Sequence, residues 1–202
     1  MSRAGCHGQA EPDAPDGGLS ACGGVPFDGH DSRDPDALEP CPGCGDRLPH
    51  LDGATHRYVG ASSACWVRFA ELSATLSDGG TPLRRLVTDA YMVQHPGVAE
   101  RRAIQSVGAH LVGLHLVLER GLPPDKLSAA LQRLLARPPA WHWLTPPEPN
   151  GPLTMGSLAE AVSRPAPALA EAIEAYVRGV WSAWAVHHAQ VAAWAASGSI
   201  GR

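Results

Sequence analysis

The sequence contains no run of about twenty uncharged apolar residues and no basic start followed by an apolar stretch. Neither a bilayer-spanning helix nor a secretory leader is therefore expected, and the cytoplasm is the default location. It also lacks any cluster of lysine and arginine. That absence removes the electrostatic footprint typical of nucleic-acid binders and argues against nucleic acid as a partner. The standard catalytic templates are missing as well: there is no G-x-S-x-G, no G-x-x-x-x-G-K-[ST], no G-x-G-x-x-G and no H-E-x-x-H. Ser62, Ser63 and Ser106 have no surroundings that would make one of them a nucleophile, and helix capping accounts for Ser63. Phenylalanine is scarce, with two residues, beside six tryptophans.

What is present describes an ordinary globular chain. Hydrophobic residues make up 44% and charged residues 18% of 202 positions, enough for one domain with a substantial core. The formal charge of -4 is unevenly spread. Residues 1–40 hold eight acids against Arg3 and Arg33, which makes that segment -6 and leaves the remainder at +2. Residues 1–39 also contain seven glycines and four prolines without periodic apolar residues. They are read as a disordered tail, because they cannot bury enough surface to offset the entropy of ordering. Residues 40–198 are read as a single domain. Five cysteines in a reducing compartment are more plausibly ligands or free thiols than a disulfide framework.

The domain opens on a stretch rich in Gly, Pro and Asp, Pro40 to Ser63, which predicts knuckles and turns with at most one short strand pair. Helices follow. Apolar spacing of three and four predicts one from about Ser63 to Leu76, a second from Pro82 to Gln94, and a third from Ala99 to Arg120 stopped by Gly121. A fourth covers Pro124 to Ala136, and Trp141 to Pro152 reads as a loop held to the body by Trp141 and Trp143. A brief helix is expected near Ser157 to Val162, and then one long helix, Pro167 to Ala196, with Val177, Val180, Trp184, His187, Val191 and Trp194 on one buried face. The fold class is thus mainly α: a helical bundle of five or six helices preceded by a zinc-knuckle loop and a disordered acidic tail.

The chemistry concentrates in the spacing C-x2-C-x11-H-x8-C formed by Cys41, Cys44, His56 and Cys65. Zinc takes four soft or borderline ligands at tetrahedral corners, and two cysteines on a tight turn supply adjacent ones. Gly43 and Gly45 let the knuckle turn and point backbone N–H groups at the sulfurs, while Pro42 narrows its conformations. Cys65 falls in the first turn of the first helix, where the helix dipole favours a thiolate. The predicted centre is therefore a structural zinc on Cys41, Cys44, His56 and Cys65, with His50 as the substitute imidazole. A redox C-x-x-C and unligated thiols are the alternatives. Cys6 and Cys22, with His7 and His30 nearby, match no compact knuckle and are read as unpaired thiols.

A second candidate group is Asp89, His95, His110 and His188, with His115 and His187 in the same helices. Inward imidazoles from two helices, joined by Asp89 or His95 from a helix end, would form an open site for a second divalent metal that activates water. Core histidines satisfied by hydrogen bonds are the plainer reading. Periodicity does not decide between His110 and His115, which lie about 140° apart around one helix. Two functional classes stay open: an interaction or regulatory module meeting a protein or small-molecule partner through the knuckle and the Trp-bearing loop, and a metal-dependent hydrolase or transferase using the interior group.

The runs CPGCG, THRYVGASSACW, VTDAYMVQHPG, RRAIQSVGAHLVGLHLVLERG and WSAWAVHHAQVAAWA resemble a family of uncharacterised bacterial proteins known as a domain of unknown function, over residues 40–196. The resemblance implies a single-domain bacterial protein without an established activity. Its Cys and His motifs match Cys41, Cys44, His56, Cys65, Asp89, His95, His110 and His188. A fainter likeness is to DinB-like four-helix proteins, which hold a metal on three histidines within a bundle; the order of histidines here departs from theirs.

Overall fold

The computed structural model describes residues 37–76, 81–163 and 165–197. The expected disordered tail lies outside these residues except at its end, as do Cys6, His7, Cys22 and His30. Strand β1 (Leu38–Pro40) pairs antiparallel with β2 (Arg47–Pro49) in the register Leu38↔Pro49, Glu39↔Leu48 and Pro40↔Arg47. Leu48 is buried, which gives this short hairpin an apolar anchor.

Seven α-helices follow among the described residues, so the chain is mainly helical as predicted. Helix α1 (Ser63–Thr75) buries Cys65, Phe69 and Leu72, a face with three- and four-residue spacing. Its cap is Ser62 rather than Ser63: the Ser62 hydroxyl accepts from the Cys65 N–H at 3.3 Å, whereas Ser63 Oγ donates to the Gly53 carbonyl at 2.6 Å. Such a cap contributes about 0.5–2 kcal/mol.

Helix α2 (Thr81–Gln94) is the centre of the bundle and packs against α1, α3 (Arg101–Leu118), α4 (Pro124–Ala136) and α6 (Ala166–Ala183). Packed by these four helices, it buries Val87, Asp89, Ala90, Tyr91, Val93 and Gln94 along its second half. Helix α5 (Met155–Glu160) is capped by Thr154, whose hydroxyl accepts from the Ser157 N–H. It packs on α1 and α6.

The single long terminal helix expected over Pro167–Ala196 is instead two. Helix α6 ends at Ala183, a 3-10 turn covers Ala185–His187, and α7 (His188–Ser197) packs against α3. Nothing in the composition marks this break, because Trp184 is apolar and both sides of the turn continue the buried stripe. Trp184 is wholly buried, and its indole N–H donates to Asn150 Oδ1 at 3.1 Å.

Asn150 organises a buried polar network at the end of α2. Its amide donates to the carbonyls of Val93 (3.1 Å) and Gln94 (2.9 Å), two groups that a helix terminus leaves without intrahelical partners. Gln94 Nε2 donates back to the carbonyls of Asn150 and Leu153, and Gln94 Oε1 accepts from the Tyr176 hydroxyl at 2.8 Å. Every member is paired, so the network adds rigidity without leaving a buried polar group unmet. The loop expected to pack through Trp141 and Trp143 is therefore pinned chiefly by Asn150 and buried Leu144, with Trp141 set edge-on to Trp194 at 4.9 Å.

Candidate metal centre

Three chain segments meet at the end of α2. The turn between β1 and β2 presents Cys41 and Cys44, the first turn of α1 presents Cys65, and the residue after α2 is His95. One ligand atom from each of these four lies within 4.8 Å of the others. Cys44 Sγ is 3.9 Å from Cys65 Sγ, and Cys65 Sγ is 3.4 Å from His95 Nε2. Cys41 is 2% exposed, and Cys65 and His95 are fully buried; Cys44 is half-buried.

Each donor is aimed by its local backbone. Cys41 N–H donates to the Asp46 carbonyl and Gly45 N–H to the Cys41 carbonyl, both at 2.8 Å, which closes the knuckle. The ring Nδ1 of His95 lies 2.8 Å from the Tyr91 carbonyl, which can only accept, so Nδ1 carries a proton and Nε2 is the ring atom turned to the sulfurs. This is the hydrogen bond that orients a ligating imidazole and strengthens it as a donor. Backbone N–H groups of Ser62, 3.4 Å away, and of Cys44 within the knuckle reach Cys41 Sγ. Tyr91 Oη donates to Cys65 Sγ at 3.7 Å.

Glycine is required at two positions. A Cβ on Gly43 would stand 2.3 Å from His95 Cδ2 and 2.8 Å from the Gly60 carbonyl, so the knuckle lies flat on the imidazole only without a side chain. Gly97 sits at φ +69° with the Tyr58 carbonyl 2.7 Å from its would-be Cβ, and it turns the chain away directly after His95-Pro96.

The electrostatics of the side chains favour a cation at the centre. Hydrogen bonds from Cys44 and Cys65 hold the Cys41 thiol far below the usual thiol range, so the first negative charge settles there. Hydrogen bonds to Cys41 and Cys44, together with burial, push Cys65 far up, because a second thiolate would crowd the first. Burial pulls the proton affinity of His95 down, but hydrogen bonds to Cys41 and Cys44 outweigh it and carry His95 up to about 9. A divalent ion would supply that positive charge to all four groups at once, with thiolates and a neutral imidazole as ligands. Three sulfurs and one imidazole fit a soft or borderline metal and do not fit magnesium or calcium, which take oxygen.

Three of the four predicted ligands converge, and the fourth is replaced. His56 stands outside the group; it packs edge-on to Tyr58 at 4.3 Å and against Trp66 at 5.8 Å, with Nδ1 buried and without a hydrogen-bond partner. His50, the substitute, lies at the surface between Glu39 and Asp52, both 3.1 Å away, and these carboxylates raise its proton affinity. The ligand spacing is thus C-x2-C-x20-C-x29-H. The signal for His95 was its place in His95-Pro96-Gly97, immediately after a helix end.

The second candidate group does not assemble. His95 is committed to the sulfurs. Buried Asp89 accepts from His110 Nδ1 at 2.6 Å and from Arg85 Nε at 3.1 Å, forming a paired charge network between α2 and α3. His188 stacks on Trp181, centroids 3.7 Å apart, and its Nε2 bonds the Trp181 carbonyl. His187 Nε2 bonds the Thr145 carbonyl, and His115 is half-buried near Trp181, with Nδ1 buried and its proton affinity lowered by burial. Among the described residues, the three sulfurs with His95 form the one group of metal-ligating type.

Above the knuckle, a cleft of ≈ 560 Å³ is floored by Cys41–Gly45 and rimmed by Gly60, Pro96–Val98 and Thr145–Asn150. No helix of the described residues is long and apolar enough to cross a membrane.

Fold and site together define a helical bundle in which a Cys3His group that could hold a metal ion gathers the β1–β2 turn, the start of α1 and the end of α2. The chain belongs to a family of unknown function, DUF5946, whose model matches residues 39–185. No curated protein and no solved structure matches it.

Proposed function

We propose that Cys41, Cys44, Cys65 and His95 hold one structural zinc ion, and that the protein is an interaction or regulatory module rather than a metalloenzyme. The observation that carries this reading is the convergence of four protein donors, three of them almost wholly buried, within 4.8 Å. Four protein ligands complete a tetrahedron, whereas catalytic zinc keeps one position for water or substrate. Zinc supplies charge neutralisation and folding free energy in such a shell. The residues do the rest: Tyr91 orients the imidazole, Ser62 donates to Cys41, and Gly43 allows the knuckle to lie on His95. Three free thiols fit a reducing, cytoplasmic setting. The cleft over the knuckle is the surface on which a protein or small-molecule partner would meet the module.

The test is metal content by elemental analysis of the purified protein and of two variants. One zinc per chain is expected in the wild type and in His56→Ala, and a loss of most zinc in His95→Ala. Zinc retained in His95→Ala but lost in His56→Ala would overturn the ligand assignment.

A further inference from the structure

The three sulfurs are not chemically alike. Cys41 accepts an N–H from Ser62 and is 2% exposed; Cys65 accepts the Tyr91 hydroxyl and is fully buried. Cys44 is half-buried and lines the ≈ 560 Å³ cleft, with side-chain hydrogen bonds to Cys41, Cys65 and His95. Hydrogen bonds to a sulfur withdraw charge from it, and burial keeps reagents away. Burial shields Cys41 and Cys65 and leaves Cys44 the most exposed of the three sulfurs. A metal-bound thiolate stays deprotonated at neutral pH, and the thiolate is the nucleophilic form. A second sulfur, that of Cys65, stands 3.9 Å away and can resolve whatever forms on Cys44.

We infer that Cys44 is a cleft-facing reactive thiolate that reduces hydroperoxides, with Cys65 as the resolving partner, so that the centre is a redox-sensitive lock. This rests on the metal reading above and adds a regulation to it. In the first step the Cys44 thiolate attacks one peroxide oxygen; an S–O bond forms, the O–O bond breaks, and hydroxide leaves. Cys44 becomes a sulfenic acid. In the second, the Cys65 thiolate attacks the Cys44 sulfur; an S–S bond forms, the S–O bond breaks, and a second hydroxide leaves. Two thiolates are thereby oxidised to one disulfide, and the peroxide is reduced to two hydroxides, which two protons convert to water. Cys41 and His95 remain as donors, too few for a tetrahedral shell. The hairpin would then lose its tie to α2 through the centre and keep a covalent one to α1.

The test uses full-length protein carrying Cys6→Ser and Cys22→Ser, so that no other cysteines compete, with its zinc content measured first. Absence of zinc at that point would count against the metal reading itself. Zinc-loaded protein is treated with one equivalent of hydrogen peroxide, released zinc is followed with a chromogenic chelator, and disulfides are mapped by peptide mass spectrometry. The expected result is zinc release in step with a Cys44–Cys65 disulfide. In a ligand-preserving Cys44→His variant that keeps its zinc, release should slow by about tenfold or more, since the accessible sulfur is gone. Retained zinc under peroxide that oxidises free glutathione, or a first disulfide joining Cys41 to either partner, would overturn the inference while leaving the metal reading intact.

Discussion

At the scale of single residues, the two histidines that could complete the centre differ in what holds them. His56 precedes Cys65 at a spacing common in zinc knuckles, but its ring is taken up by Tyr58 and Trp66. His95 is thirty residues beyond Cys65, yet a helix end, a carbonyl and a glycine turn aim its Nε2 at the sulfurs. Spacing along the chain reports which residues can be neighbours without loss of entropy; it carries no information on a neighbour delivered by a packed helix. Asp89 shows the converse. Its residue type suggested a ligand or base, and the structure gives it a buried pairing with Arg85 and His110 instead. Asp89→Asn should therefore lower stability by about 1.5–3 kcal/mol, the range for hydrogen bonds to a charged group. Chemical denaturation would measure that loss, and zinc content should not change; a drop in metal stoichiometry would revive a metal role for Asp89.

At the scale of elements, helices with clear stops were readable. The bounds of α4 agree with its apolar spacing and flanking prolines, and α1 to α3 differ from expectation only at their ends. The break between α6 and α7 was not readable, because no glycine or proline marks it and both halves bury the same stripe; packing of Trp184 against Asn150 imposes it. The knuckle was legible as a turn, but its fit to α2 was not, since the space Gly43 leaves is occupied by a ring fifty-two positions away. Gly43→Ala is a sharp probe of that fit. Its methyl group would displace the imidazole or the knuckle, so zinc affinity should fall by at least about tenfold, or about 1.4 kcal/mol, as read by competition with a chromogenic chelator. Affinity unchanged in that variant would mean that the knuckle does not need to lie on His95.

At the scale of the whole molecule, the candidate centre gathers three stretches of chain: the hairpin of two three-residue strands, the start of α1 and the end of α2. Closing loops of twenty and twenty-nine intervening residues costs entropy that an ion held by all four groups would help to offset. Structural zinc brings about 10–16 kcal/mol in small peptides, ample for this purpose. The Asn150 network serves the same end from the other side by fixing the carbonyl end of α2, so that His95 is placed before any ion arrives. The most direct measurement of the central claim is X-ray absorption at the zinc edge of the purified protein. The expected shell is three sulfurs at about 2.3 Å and one nitrogen at about 2.0–2.1 Å. A shell of two sulfurs and two nitrogens, or one dominated by oxygen, would contradict a Cys41, Cys44, Cys65 and His95 centre.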